Sequence, residues 1–173
     1  MAPADHARKS GPRKGGSAKA PAAKRSAARL AAVQALYQMD MTDVSADAVI
    51  VQFFDPDVRR QWSETSPAEF DRGLFTQLVK GVTLKREELD RVVAASLSAD
   101  WTVERLEIIL RRILEAGAYE LTERTDVPPR VAITEYVDVA HAFYSGAEPG
   151  LVNGVLDKLA RKFRDQEMAA GRG

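Results

Sequence analysis

The side chains of this chain with the most obvious chemistry are cations. Arg8, Lys9, Arg13, Lys14, Lys19, Lys24, Arg25 and Arg29 crowd residues 1–30 against a lone Asp5, a charge of +7. Such a run attracts polyanions and gains by releasing their condensed counterions, a salt-sensitive effect that needs no fold. Arg25 and Arg29 stand four apart, so a helix would set them on one face. Gln34 and Tyr37 follow on the same segment. A glutamine can bond base edges, and a tyrosine can stack on an unpaired base. Core packing would use the same tyrosine equally well.

Other chemistry is thin. The 173 residues include no cysteine, which excludes disulfides, thiolate metal sites and a cysteine nucleophile. The segment Gly11-Pro-Arg-Lys-Gly-Gly16-Ser17 only faintly imitates a phosphate loop, since no lysine stands between the last glycine and the hydroxyl. HExxH, GxSxG and GxGxxG patterns are missing. Of two histidines, His6 lies in the basic arm and His141 falls one residue past a helical core stripe, as a surface histidine would. Glu87, Glu88 and Asp90 read as a solvated face. Glu120 and Glu135 neighbour core stripes and read as structural. No cofactor and no enzymatic activity are expected. No apolar run approaches the roughly 18–20 residues of a membrane helix.

The elements that must position these groups are helical. Residues 1–23, rich in Ala, Lys, Arg, Gly, Pro and Ser, bury too little to offset their ordering entropy and are expected to form a disordered arm. Pro3, Pro12, Pro21 and Gly15-Gly16 argue against an amphipathic transit peptide. From Lys24 onward, Leu30, Val33, Leu36 and Tyr37 predict a helix over about 25–40. A short helix over 45–54 follows, then an irregular stretch over 55–65. Ser66-Pro67-Ala68-Glu69 predicts a helix start, with Phe70, Leu74, Leu78 and Val82 behind it and Gly81 as the point of division. Further helices are predicted over about 104–123, from Pro128-Pro129, and from Val152 to Phe163. Residues 168–173 read as a frayed tail. No stretch alternates with period two. The fold class is all-α, with six or seven helices and a domain spanning 24–167. Residues 31–173 carry 17 basic and 24 acidic side chains, so a basic arm leads an acidic domain.

Three segments in order give this pattern a family likeness. They are Arg29-Leu-Ala-Ala-Val-Gln-Ala-Leu-Tyr37, then Ala118-Tyr-Glu-Leu121 with Thr125-Asp-Val-Pro128 and Val131-Ala-Ile-Thr-Glu135, then Leu151-Val-Asn-Gly-Val-Leu-Asp-Lys158. Together they resemble the NusB family of transcription antitermination factors over about residues 24–164. The resemblance implies two packed helical subdomains and a bacterial, cytoplasmic, RNA-binding role. It implies boxA RNA of ribosomal transcripts as ligand, NusE as the partner in reading it, and NusA, NusG and RNA polymerase in the larger complex. Some members self-associate as homodimers through the NusE surface and others stay monomeric; the residues leave that open.

By the same resemblance Lys24, Arg25, Arg29 and Tyr37 match the family's RNA-contacting first helix, with Ser26 thinning the basic cluster. The turn at Glu148 and Leu151, shorter than the common form, matches a place near the RNA and partner surface. Asn153 and Gly154 sit unusually within a helix. The asparagine could bond RNA or backbone, and the glycine could admit a neighbouring helix. NusB-like domains also front some ribosomal RNA cytosine methyltransferases, but that reading needs a catalytic cysteine. A third reading is an interaction module whose arm binds polyanions without sequence preference.

Overall fold

A computed structural model describes residues 19–62 and 69–171. Among these residues there are nine α-helices and no strand. They are α1 (Lys19–Thr42), α2 (Ala46–Phe54), α3 (Pro56–Trp62), α4 (Arg72–Leu84), α5 (Arg86–Ser96), α6 (Ile108–Glu123), α7 (Pro129–Phe143), α8 (Glu148–Phe163) and α9 (Asp165–Ala170), with one 3-10 turn at Val103–Arg105. The all-α expectation holds, and so does the division into two packed parts, but there are nine helices among the described residues against the six or seven expected. Helices α1 to α4 form one part and α5 to α9 the other, and α6 joins them by packing on α1, α4, α5, α7 and α8.

α1 is built for close packing. It is rich in alanine, the best helix former, and Ala28, Ala32, Val33, Ala35 and Leu36 are fully buried. It ends where Asp43 takes a left-handed conformation, φ 55°. Its start corrects the expected arm boundary, because residues 19–23 are helical. Pro21 falls in the first turn, where its missing N–H would have no helical acceptor in any case. The rest of the arm, including the phosphate-loop imitation and His6, lies outside the described residues.

Three other boundaries move. Residues 56–62, expected to be irregular, form α3. The helix expected from Ser66-Pro67 begins instead at Arg72, with Asp71 as N-cap accepting from the Leu74 N–H at 3.0 Å. Ser66, Pro67 and Ala68 lie outside the described residues, and Phe70 precedes the helix while still packing into the core at 7% exposure. The tail is not frayed through residue 170. α9 buries Met168, and Arg130 donates to the Met168 carbonyl at 3.0 Å. The two extra helices, α3 with seven residues and α9 with six, are too short to show a period.

Gly81 does not divide the chain; Lys85 does, between α4 and α5. A Cβ on Gly81 would lie 2.3 Å from the Tyr119 ring, so glycine is what lets α4 reach α6. Gly117 does the same for α6 and α8, since a Cβ there would meet Leu156 at 2.7 Å. Gly154, expected to admit a helix, faces open space.

Candidate nucleic-acid interface

The basic start of α1 divides into a surface half and a buried half. Lys24 and Arg25 are exposed. Lys24 pairs with Glu69 at 3.1 Å, a contact of little strength because both groups are solvated. Arg29, one turn on, is 3% exposed. Its guanidinium donates to both oxygens of Glu120, Nε at 2.7 Å and Nη2 at 2.9 Å, and Nη1 lies 3.2 Å from Glu135. The expectation of Arg29 as an RNA contact is therefore corrected. The cation sits on the same helical stripe as Val33 and Leu36 and faces α6 and α7, where a bidentate carboxylate uses its donors.

Glu120 is itself fully buried and takes a further hydrogen bond from the Tyr136 hydroxyl. Burial first, and then the charge of Glu120, push the Tyr136 phenol well above its usual value, so it stays a donor. Burial works against the Arg29 charge, but Glu120 outweighs it and holds the guanidinium protonated. Ser26 donates to Glu135 at 2.7 Å. The structural reading of Glu120 and Glu135 holds.

Gln34 is also corrected. At 7% exposure it stands in the core and offers no amide to a base. Tyr37 is half-buried at the edge of the same helix. At the start of α8, Asn153 is exposed, Leu151 packs half-buried against the core, and Glu148 opens the helix with one carboxylate oxygen buried. α1 and α8 both lie on α6 and α7. A groove of about 440 Å³ runs between α1 and α7, lined by Ala23, Leu30 and Val139 with Asp138 at its rim.

A second buried charge cluster fixes the other end of α1. Arg112 of α6 donates to Asp40 of α1 through Nε at 2.7 Å and Nη2 at 3.1 Å, and to Glu115 through Nη1 at 2.6 Å. Arg86 of α5 approaches Asp40 at 3.4 Å, and Arg111 pairs with Asp90 of α5. Sequence reading missed this cluster, although Asp40 falls on the stripe of Arg29, Val33 and Leu36, and a charge on a core stripe is the available signal. No group of acids, histidines or cysteines among the described residues could hold a metal. No helix among them is long and apolar enough to cross a membrane.

The cluster makes stability depend on pH. Burial pushes the Glu115 carboxyl from its ordinary 4.5 up to about 7, with Asp90 adding to the push and Arg112 opposing it. A folded value above the unfolded one means that this group's contribution is complete below about 4.5 and is lost as pH rises through about 7. Asp90 runs the other way. Burial would raise it, but hydrogen bonds with Arg111 and Glu115 hold it below its ordinary range, so its contribution is lost only in stronger acid. Urea midpoints are expected to fall between pH 5 and pH 8, and Glu115→Gln, which imitates the protonated form, should flatten that fall. An unchanged slope in the variant would remove Glu115 as its source.

The fold and this site define an all-helical, two-part protein whose first helix carries exposed cations at its start and is clamped by buried ion pairs behind them. The family model for the NusB family matches residues 26–161, and the chain belongs to that family. A transcription antitermination protein NusB from Rhodospirillum rubrum is 46% identical, with 82% of this chain and 85% of the relative covered. Its counterpart in Rhodopseudomonas palustris strain BisB18 is 41% identical, with 82% and 84% covered. Among solved structures, NusB of T. maritima aligns with a TM-score of 0.66 at 23% identity over 84% of this chain and 96% of that one, a likeness of fold. The family is one of non-enzymatic transcription antitermination factors, and this chain has that role.

Proposed function

We propose that this protein acts in the bacterial cytoplasm by binding the boxA element of nascent ribosomal RNA together with NusE, and that the pair joins NusA, NusG and RNA polymerase. The observation that carries the reading is the exposed pair Lys24 and Arg25 at the start of α1, directly downstream of the basic arm. Phosphate contacts from these cations position the strand, while groups that reach bases select the sequence. On this chain those groups are Tyr37 at the helix edge and Asn153 on α8, with Glu148 and Leu151 at the turn meeting RNA or NusE. The acidic body behind the basic start orients the RNA toward α1.

The test is fluorescence anisotropy of labelled boxA RNA and a scrambled RNA, each with and without NusE, over a salt series. The expected result is tighter boxA binding on adding NusE, with little gain for the scrambled strand. Equal, purely salt-driven binding of both RNAs would overturn the reading and leave an all-helical domain with a sticky arm.

A further inference from the structure

Where α1, α3 and α4 meet, Lys24, Arg59 and Arg72 line a depression of about 250 Å³ together with Phe70 and Glu69. The Arg59 guanidinium lies 4.7 Å over the Phe70 ring, and that of Arg72 lies 4.8 Å over the Phe54 ring. Both rings belong to a tight aromatic cluster with Phe75; Phe70 and Phe75 have centroids 5.0 Å apart and Phe54 and Phe75 6.0 Å apart. A guanidinium stacked on a ring is held by its face and keeps its edge N–H groups for another partner. Arg59 is 8% exposed, and its Nε is buried without a hydrogen-bond partner. The Asp71 N–H donates to the Lys24 carbonyl at 3.0 Å, which fixes the start of α4, and Arg72 with it, beside α1.

The charges here do not cancel. Among the described residues three cations face the depression against one carboxylate, Glu69, which is exposed and turned to Lys24. Arg60, the next cation on α3, is turned to Asp57 at 3.3 Å. Burial, then the charges of Arg72 and Arg60, hold Arg59 below its usual value, with Asp55 acting in the opposite sense. Two guanidiniums preorganised on aromatic faces, with Lys24 beside them, form a receptor for an anion. The space is polar and lined by cations, which suits a phosphate. Lys24 belongs both to this depression and to the exposed basic start of α1, so one polyanion can run continuously over both.

We propose that Arg59, Arg72 and Lys24 form a pocket for a backbone phosphate of the bound RNA, a contact beyond the leading end of α1. This rests on the RNA-binding reading above. The test uses the full chain with Arg72→Glu, a change at an exposed first-turn position where a carboxylate suits the helix dipole. RNA anisotropy over a salt series should show affinity lower by about fivefold or more near 0.1 M salt and a log–log slope shallower by about 0.7. Arg59→Lys, which keeps charge but loses the planar fork, should weaken binding while leaving the slope. Arg91→Glu, the same charge change on α5, controls for net charge, and circular dichroism melts control for folding. If Arg72→Glu matches Arg91→Glu in affinity and slope, the pocket is not an RNA contact, even if inorganic phosphate binds there. If boxA selectivity with NusE is absent but the Arg72 slope effect persists on scrambled RNA, the pocket stands and the boxA reading falls.

Discussion

Replacing Arg29 with alanine should destabilise the fold by about 3–5 kcal/mol, the usual cost of removing one partner of a buried ion pair. The carboxylate left behind, Glu120, is fully buried and would keep only the Tyr136 hydroxyl and the partly exposed end of the network. For a domain of this size the melting temperature would fall by about 10 °C or more. Arg29→Lys should recover part of the loss, because one ammonium replaces the charge but cannot bond both Glu120 oxygens at once. Pairing Arg29→Met with Glu120→Gln should be milder than Arg29→Ala alone, since no charge is then stranded, and a double-mutant cycle would measure that coupling. Denaturant melts decide the matter. A stability change under about 0.5 kcal/mol with a clear loss of RNA affinity would return Arg29 to the RNA surface and overturn the core assignment.

The opposite pattern is expected one turn earlier. Lys24→Glu with Arg25→Glu should leave stability within about 0.5 kcal/mol, because both side chains are exposed and the ion pair of Lys24 with Glu69 is solvated. RNA affinity should collapse. Each phosphate contact on a single strand contributes a slope of about 0.7, so at 0.1 M salt it is worth about fivefold and two are worth about 25-fold. Reversal, which adds repulsion, should exceed that figure. The slope itself should become shallower by about 1.4. Anisotropy across a salt series reads both quantities, and a variant that kept affinity and slope would remove α1 from the RNA path. The two experiments together separate neighbours that the sequence presents as equivalent.

That separation marks how far the sequence was legible. Periodicity in Leu, Val and Ile placed the long helices, since their stripes run for several turns. The shortest helices escaped, because α3 and α9 have too few residues for a period. Ser66-Pro67-Ala68-Glu69 has the chemistry of a helix start, yet the cap is Asp71. Phe70 has to enter the aromatic cluster ahead of the helix, and this tertiary demand outweighs the local signal. At the site, Lys24 and Arg25 are exposed, whereas Arg29 and Gln34 are buried. Spacing alone could not show this: residues four apart share a face, and what separates the two arginines is that α1 is exposed through Arg25 and becomes buried from Ala27. The residues of the Arg59 pocket lie on three separate elements, and no linear motif joins them.

The two buried clusters also settle the longitudinal position of α1. Arg25 lies one turn before Arg29, so with respect to Glu120 alone the helix could slide by a turn and let Arg25 take its place. Leu36 would then stand where Asp40 does, facing Arg112 and Arg86. The buried Arg112 guanidinium would lose one of its two carboxylates and keep only Glu115, at a cost of several kcal/mol. The second anchor, about 16 Å along the helix from the first, thus acts like the second mark of a vernier: the first mark fits two settings, and both marks fit one. Which arginine reaches solvent at the start of α1 is decided at Asp40, toward the opposite end of the helix.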